Sequence, residues 1–140
     1  MFEKILVAHD GSKGAQKAFE VALEIAARSD AELHMISVQE KLPRRAQVIS
    51  EIVDVKEIED SYFERVAEEA KRRATRRSVY LECTIVPGHR VKTIVQVAEE
   101  GGFDLLVTGF SGHSRFNEHL WGRTSRDLMR SGPCSVLVVK

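Results

Sequence analysis

The feature that most constrains this chain is an alternation between two hydrophobic periods. Five short apolar runs, KILVAHD, AELHMISV, VYLECTIV, DLLVTG and SVLVVK, are separated by longer polar and mixed segments. Continuous apolar runs mark strands buried on both faces, whereas recurrence at three and four residues marks an amphipathic helix. The first run ends at the turn-forming Asp10-Gly11-Ser12. After it Ala15, Ala18, Phe19, Ala22, Ile25 and Ala26 form a helical stripe that fades at Arg28-Ser29-Asp30. Strands alternating with helices imply right-handed crossovers and a parallel sheet covered on both faces. The expected fold is α/β, a three-layer α/β/α sandwich around an open five-stranded parallel sheet. At 140 residues there is material for one hydrophobic core, so one domain over 1–140 is expected.

The middle of the chain is less regular. Between Gln39 and about Asp54 the segment EKLPRRAQ carries Pro43 and three basic residues with no clear period, and a loop is expected there. From about Lys56 to Arg77 a long helix with one wet face is expected, with Glu68 to Arg72 and Glu69 to Arg73 at the favourable i, i+4 spacing. Pro87-Gly88 closes the third run. Val91, Ile94, Val95 and Ala98 then supply a short helix ending at Gly101-Gly102. The last helix, containing Leu128 and Met129, stops at Gly132-Pro133.

Lys plus Arg and Asp plus Glu both number 21, so the molecule as a whole has no electrostatic attraction for nucleic acid or an anionic membrane. The basic run KRRATRR, 71–77, sits at the C-terminal end of the long helix, where cations complement the dipole. With no charged-then-apolar leader at Met1 and no run near the ~20 apolar residues of a bilayer span, a cytoplasmic protein with no membrane partner is expected. Cys83 and Cys134 lie in apolar runs without a C-x-x-C spacing, as buried strand thiols would. No spacing groups Ser, His and Asp or Cys and His for catalysis, and the five His residues form no metal pattern. Neither a catalytic residue nor a metal ligand is assigned.

In an open doubly wound sheet, ligands bind beyond the carboxyl ends of the strands, where strand order reverses. Two strand ends carry unusual turns: Asp10-Gly11-Ser12 after the first, and Thr108-Gly109 after the fourth, opening the segment GFSGHSRFNEHLWGRTS, 109–125. Glycines let successive backbone N–H groups point inward as an anion nest, and a helix beginning near Gly122 turns its positive end on the same place. Thr124 and Ser125 add hydroxyls in its first turn. Asp10 suits hydroxyl or amino groups, such as a nucleotide carries, and repels phosphate. A long loop before a helix also uses glycines simply to turn, so cradle and loop both stand at this level. His113 either contacts phosphate or faces solvent, Trp121 either stacks on a base or packs at the helix start, and Lys41, Arg44 and Arg45 either form a basic lid or are solvated. His9 reads as a packing residue at a strand end, and His89 as a turn or first-turn residue.

VAHDGS, the pattern G-x2-G-x9-G through Gly109, Gly112 and Gly122, and SGPCSVLVV together resemble the universal stress protein family, in order and spacing, from Phe2 to Lys140. The resemblance implies strand order 3-2-1-4-5, the adenine-nucleotide α-hydrolase-like arrangement, with the first and fourth strands at the switch point. It implies ATP as ligand, with Mg²⁺ or Mn²⁺, since members carrying the glycine pattern bind it. By position, the backbone at Ala8 and the carboxylate of Asp10 would hold adenine and ribose, and Val38 would contact adenine. Gly109 and Gly112 would line the ribose and phosphate loop, and Gly122, Thr124 and Ser125 would cap the phosphates; His113 and Arg123 are candidate nucleotide contacts from their places in the same segment, not from the family pattern. A homodimer through the apolar last strand, Ser135 to Val139, is also implied, and would cover an edge open to aberrant pairing. The implied role is a nucleotide-dependent sensor or switch in a stress response, with slow or absent hydrolysis. Phosphoryl transfer needs a residue that orients the attacking water, and the motif identifies none.

Two residues depart from the family pattern: Arg123 where Ser or Thr usually follows the third glycine, and Arg115 where a small residue is common. A guanidinium at phosphate adds hydrogen bonds about twice as strong as neutral ones; pointing inward too early, it blocks the site. The second outcome leaves a dimeric interaction module that binds no nucleotide. An adenylating enzyme of the wider group would carry a loop richer in glycine and serine than HDGSKG.

Overall fold

A computed structural model of the chain describes the backbone of residues 1–40, 49–110 and 121–140, and the side chains of 1–40, 60–110 and 123–140. The elements are β1 (Lys4–Ala8), α1 (Lys13–Ser29), β2 (Glu32–Gln39), α2 (Ile49–Arg76), β3 (Leu81–Pro87), α3 (Arg90–Glu100), β4 (Leu105–Gly109), α4 (Trp121–Ser131) and β5 (Ser135–Val139). All four strand pairings are parallel, in the order β3-β2-β1-β4-β5. β1 is central, and its register runs Ala8 to Ile36 on one side and Val7 to Val107 on the other. The fold class and strand order are those expected from the sequence.

The apolar runs of β1 and β4 are explained by the two cores they separate. Ile5, Val7, Leu105 and Val107 point to one face, where Phe19 and Leu23 of α1 and Ala67, Ala70 and Ala74 of α2 close over them. Leu6, Ala8 and Leu106 point to the other, against Ile94 and Ala98 of α3 and Leu128 of α4. Thus α1 and α2 cover one face and α3 and α4 the other. Burying a Phe or Leu side chain this fully contributes about 1.5–3 kcal/mol, which favours a two-sided strand over any solvent-facing alternative.

Local signals set the helix ends. Ser12 caps α1, its side chain accepting from the N–H of Ala15, and Asp30 ends the helix in a left-handed conformation at φ 54° with its N–H donating to the Ala26 carbonyl. His89 caps α3 in the same manner, its Nδ1 accepting from Lys92 N–H. At the end of α4, Gly132 N–H returns to Leu128 O at 2.8 Å, just before Pro133.

Four expectations are corrected. The irregular segment does not run to Asp54, because α2 begins at Ile49, where Ile49, Ile52 and Val53 restore helical spacing; residues 41–48 lie outside the described residues. β3 starts at Leu81 rather than Val79, as Val79 N–H still closes the turn after α2 by donating to Ala74 O. Arg72 turns to Glu69 rather than Glu68, while the expected Glu69–Arg73 pair forms at 3.1 Å. The thiols are half-buried rather than buried, with Cys83 in β3 and Cys134 just before β5; burial pushes both above the ordinary thiol value. KRRATRR does more than cap a helix: Arg73 and Arg77 reach across to Glu20 and Glu24 on α1, tying the two helices together.

Candidate functional site

The turn leaving β1 is held from several directions. Ser12 N–H donates to Asp10 Oδ1 at 2.9 Å, forming an Asx turn, and Gly11 N–H donates to His9 Nδ1 at 3.0 Å. Tyr62 of α2 donates its hydroxyl hydrogen to Asp10 O at 2.8 Å, and Ser37 of β2 does the same to His9 O at 2.7 Å. Gly11 has φ +86°, and a Cβ there would run into the Tyr62 hydroxyl, so geometry and space both demand glycine. His9 is indeed a packing residue: it is 5% exposed, its ring is tilted against Phe19, and burial with the nearby Arg73 charge lowers its pKa from 6.5 to about 4.

Beyond the carboxyl ends of β1, β2 and β4, on the α3–α4 side, lies a cleft of about 20 Å³. Its walls include Ala8, Asp10, Val38, Arg90, Thr108 and Thr124. Asp10 presents a buried oxygen there, Oδ2, with no hydrogen-bond partner among the described residues. Burial raises the Asp10 carboxyl above its ordinary value, while the hydrogen bonds from Ser12 and the Arg90 charge pull it back. An unsatisfied buried carboxylate oxygen costs about 1–3 kcal/mol or more, and such atoms in folded proteins call for an explanation.

The fold therefore brings Ala8, Asp10, Val38 and Thr124 to one cleft at the switch point. Ser125, the fifth residue of α4, is fully buried beside Thr124, the fourth. Gly122 is the second residue of α4, so the helix does begin where the glycine pattern placed it. Arg123 has an exposed side chain and is not among the residues lining the cleft. Gly112, His113 and Arg115 lie outside the described residues, as do Lys41, Arg44, Arg45 and the side chain of Trp121. Gly109 ends β4 and is buried; a Cβ there would come within 2.7 Å of the backbone carbonyl group of Gly14 in α1. Strand-to-helix packing thus accounts for this glycine without any ligand.

Arg90 is the residue that sequence reasoning overlooked. It is the first residue of α3, yet its guanidinium reaches the cleft, with Nη1 donating to Thr124 Oγ1 and Nε facing Glu40 Oε1, both at 3.4 Å. A signal was present: a cation in a helix's first turn opposes the macrodipole, and α3 has no acidic residue there to offset it. A larger cavity of about 320 Å³ lies on the opposite face between α1 and α2, where Arg73 and Glu69 already pair with each other. The smaller cleft is the better candidate, because it holds the unsatisfied acid and lies where parallel sheets bind ligands. Among the described residues, no group of three or more His, Cys, Asp or Glu side chains is placed to hold a metal ion, and no helix is long and apolar enough to cross a membrane.

Comparison with known proteins agrees with the fold. The model of the universal stress protein family matches residues 1–140. The universal stress protein YxiE of Bacillus subtilis is 31% identical over 148 residues, covering 100% of both chains. The structure of universal stress protein UspA from Lactobacillus plantarum superposes with a TM-score of 0.83 at 27% identity, over 99% of this chain and 98% of that one. A universal stress protein crystallised in complex with cAMP gives 0.76 at 26% identity, over 99% and 97%. On the full-length family match and this identity, the chain belongs to the universal stress protein family.

Proposed function

We propose that this protein binds ATP, carried with Mg²⁺ or Mn²⁺, in the cleft at the ends of β1 and β4, and acts as a nucleotide-dependent sensor or switch in a stress response. The observation that carries this reading is the buried Oδ2 of Asp10, which has no hydrogen-bond partner among the described residues. A ribose hydroxyl supplies the donor that this oxygen lacks, and the adjoining apolar wall of Ala8, Ile36 and Val38 suits a purine. Thr124 and Ser125, the fourth and fifth residues of α4, stand near its N-terminal end, which favours phosphate. Gly109, Gly112 and Gly122 complete the assignment by family position, with His113 and Arg123 as further candidate contacts in the same segment. A cAMP complex in a related protein supports the nucleotide class. No side chain is assigned to orienting water, so the reading is of binding with slow or no hydrolysis. The proposed setting is cytoplasmic, and the proposed assembly is a homodimer through β5, an edge strand with half-buried Val136, Leu137, Val138 and Val139.

A second reading, a dimeric interaction module without nucleotide, draws on the size of the cleft. About 20 Å³ admits roughly one water, so adenosine enters only if a lining side chain moves. Arg123 is exposed and does not line the cleft, whereas Arg90 does. Titration calorimetry of nucleotide-stripped protein with ATP and Mg²⁺ separates the readings. Saturable heat at sub-millimolar ATP, lost in Asp10→Ala, supports the first; no heat in the wild type removes it in favour of the second.

A further inference from the structure

We propose that Arg90 is the phosphate-recognising cation of this cleft, making it select nucleotides over nucleosides; the inference rests on the nucleotide reading above. The Arg90 side chain is only 13% exposed, although a solvated arginine at a helix start has every reason to extend into water. Instead it crosses from α3 to the first turn of α4, where its guanidinium meets the Thr124 hydroxyl, and to Glu40 beyond the end of β2. Neither the Thr124 hydroxyl nor Glu40 is held at about 2.7–2.9 Å, the range of a charge-assisted hydrogen bond; each stands 3.4 Å from the guanidinium. A phosphate placed against the first turn of α4 would accept from the same guanidinium with full opposite charge.

Charge balance points the same way. The cleft carries the Asp10 carboxylate and has Glu40 at its edge, two acids that repel a phosphorylated ligand. Arg90 is the only Arg or Lys among the described residues lining the cleft. A ligand with a ribose for Asp10 and a phosphate for Arg90 satisfies both ends at once.

The test is calorimetric titration of wild type, Arg90→Gln and Arg90→Lys with ATP and with adenosine. The expected result is a loss of about ten- to hundredfold in ATP affinity for Arg90→Gln, with adenosine affinity unchanged or improved and Arg90→Lys between the two. Thermal melting of each variant reports on structure: with the cation removed from the first turn of α3, the midpoint should hold or rise. A purely structural role would instead lower the midpoint and weaken both ligands alike. If Arg90→Gln binds ATP as tightly as wild type, or tighter, Arg90 is no ligand and this inference falls while the nucleotide reading stands. If wild type binds neither ligand, both fall together.

Discussion

Asparagine at position 9 should remove most of the pH dependence of stability that His9 confers. The ring is 5% exposed, packed between Phe19 and the β1 turn and facing the Arg73 guanidinium, and its pKa is lowered from 6.5 to about 4. Folding therefore disfavours the protonated ring. Above pH 6.5 both folded and unfolded chains hold it neutral and it has no effect; between 6.5 and about 4 the unfolded chain takes up the proton and the folded one resists. Stability is lost as pH falls through that window, by about 1.4 kcal/mol per unit of displacement, or about 3 kcal/mol in all. For a chain of this size that is about 10 °C in Tm. Asn is the useful replacement because its Oδ1 can take over the Gly11 N–H bond now accepted by Nδ1. The carboxyls of Asp10, Glu24, Glu69 and Asp104 titrate in both proteins, so the difference between the two curves isolates His9. Urea denaturation from pH 7.5 to 4 should show the wild type losing about 3 kcal/mol more than His9→Asn. Parallel curves would refute the argument, since they would mean that the folded protein protonates His9 as readily as the unfolded chain.

Gly109→Ala should destabilise the fold by about 1–3 kcal/mol through backbone overpacking, as read by urea denaturation without nucleotide, because its Cβ meets Gly14. Gly112→Val, by contrast, should abolish ATP binding in calorimetry while leaving the melting temperature near wild type. Tyr62→Phe removes the hydroxyl bond to Asp10 O and should cost about 1 kcal/mol in the same denaturation assay. Asp10→Asn should raise stability at pH 7 while weakening ATP binding. Burial raises the Asp10 pKa in the folded state, so its ionisation opposes folding as pH rises, and the gain should disappear in melts below the carboxyl's ordinary range.

What could be read from the sequence was what one residue's neighbours along the chain decide. Ile5 to Ala8 and Leu105 to Val107 are continuously apolar because both faces of β1 and β4 are buried, and no other element accommodates that pattern so cheaply. The Asp10-Gly11-Ser12 turn was visible because its hydrogen bonds are local. The start of α2 was missed because Pro43 and the charges around it obscure the helical spacing that resumes at Ile49. Arg90 escaped notice for a different reason: its meaning depends on Thr124, 34 residues away, and on Glu40 beyond the far end of β2. The α1–α2 ion pairs were equally hidden, since Arg73 and Arg77 find Glu20 and Glu24 only once both helices lie on one face of the sheet.

The glycine pattern also carries less functional weight than its regularity suggests. Its first member is required by the approach of β4 to α1, with Gly14 backbone 2.7 Å from where a Cβ would stand, and that requirement persists whether or not a nucleotide binds. A relative that had lost its ligand would therefore keep Gly109 for packing while the remaining positions drifted. Asp10 is different in kind. Its Oδ1 already secures the turn, but Oδ2 is buried with no partner among the described residues, a cost that packing does not repay and that an uncharged Asn or Ser at the same Asx turn would avoid. A carboxylate kept there against its own desolvation, with an arginine drawn in from α3 to face it, is better evidence for a polar, phosphorylated ligand than glycine spacing alone.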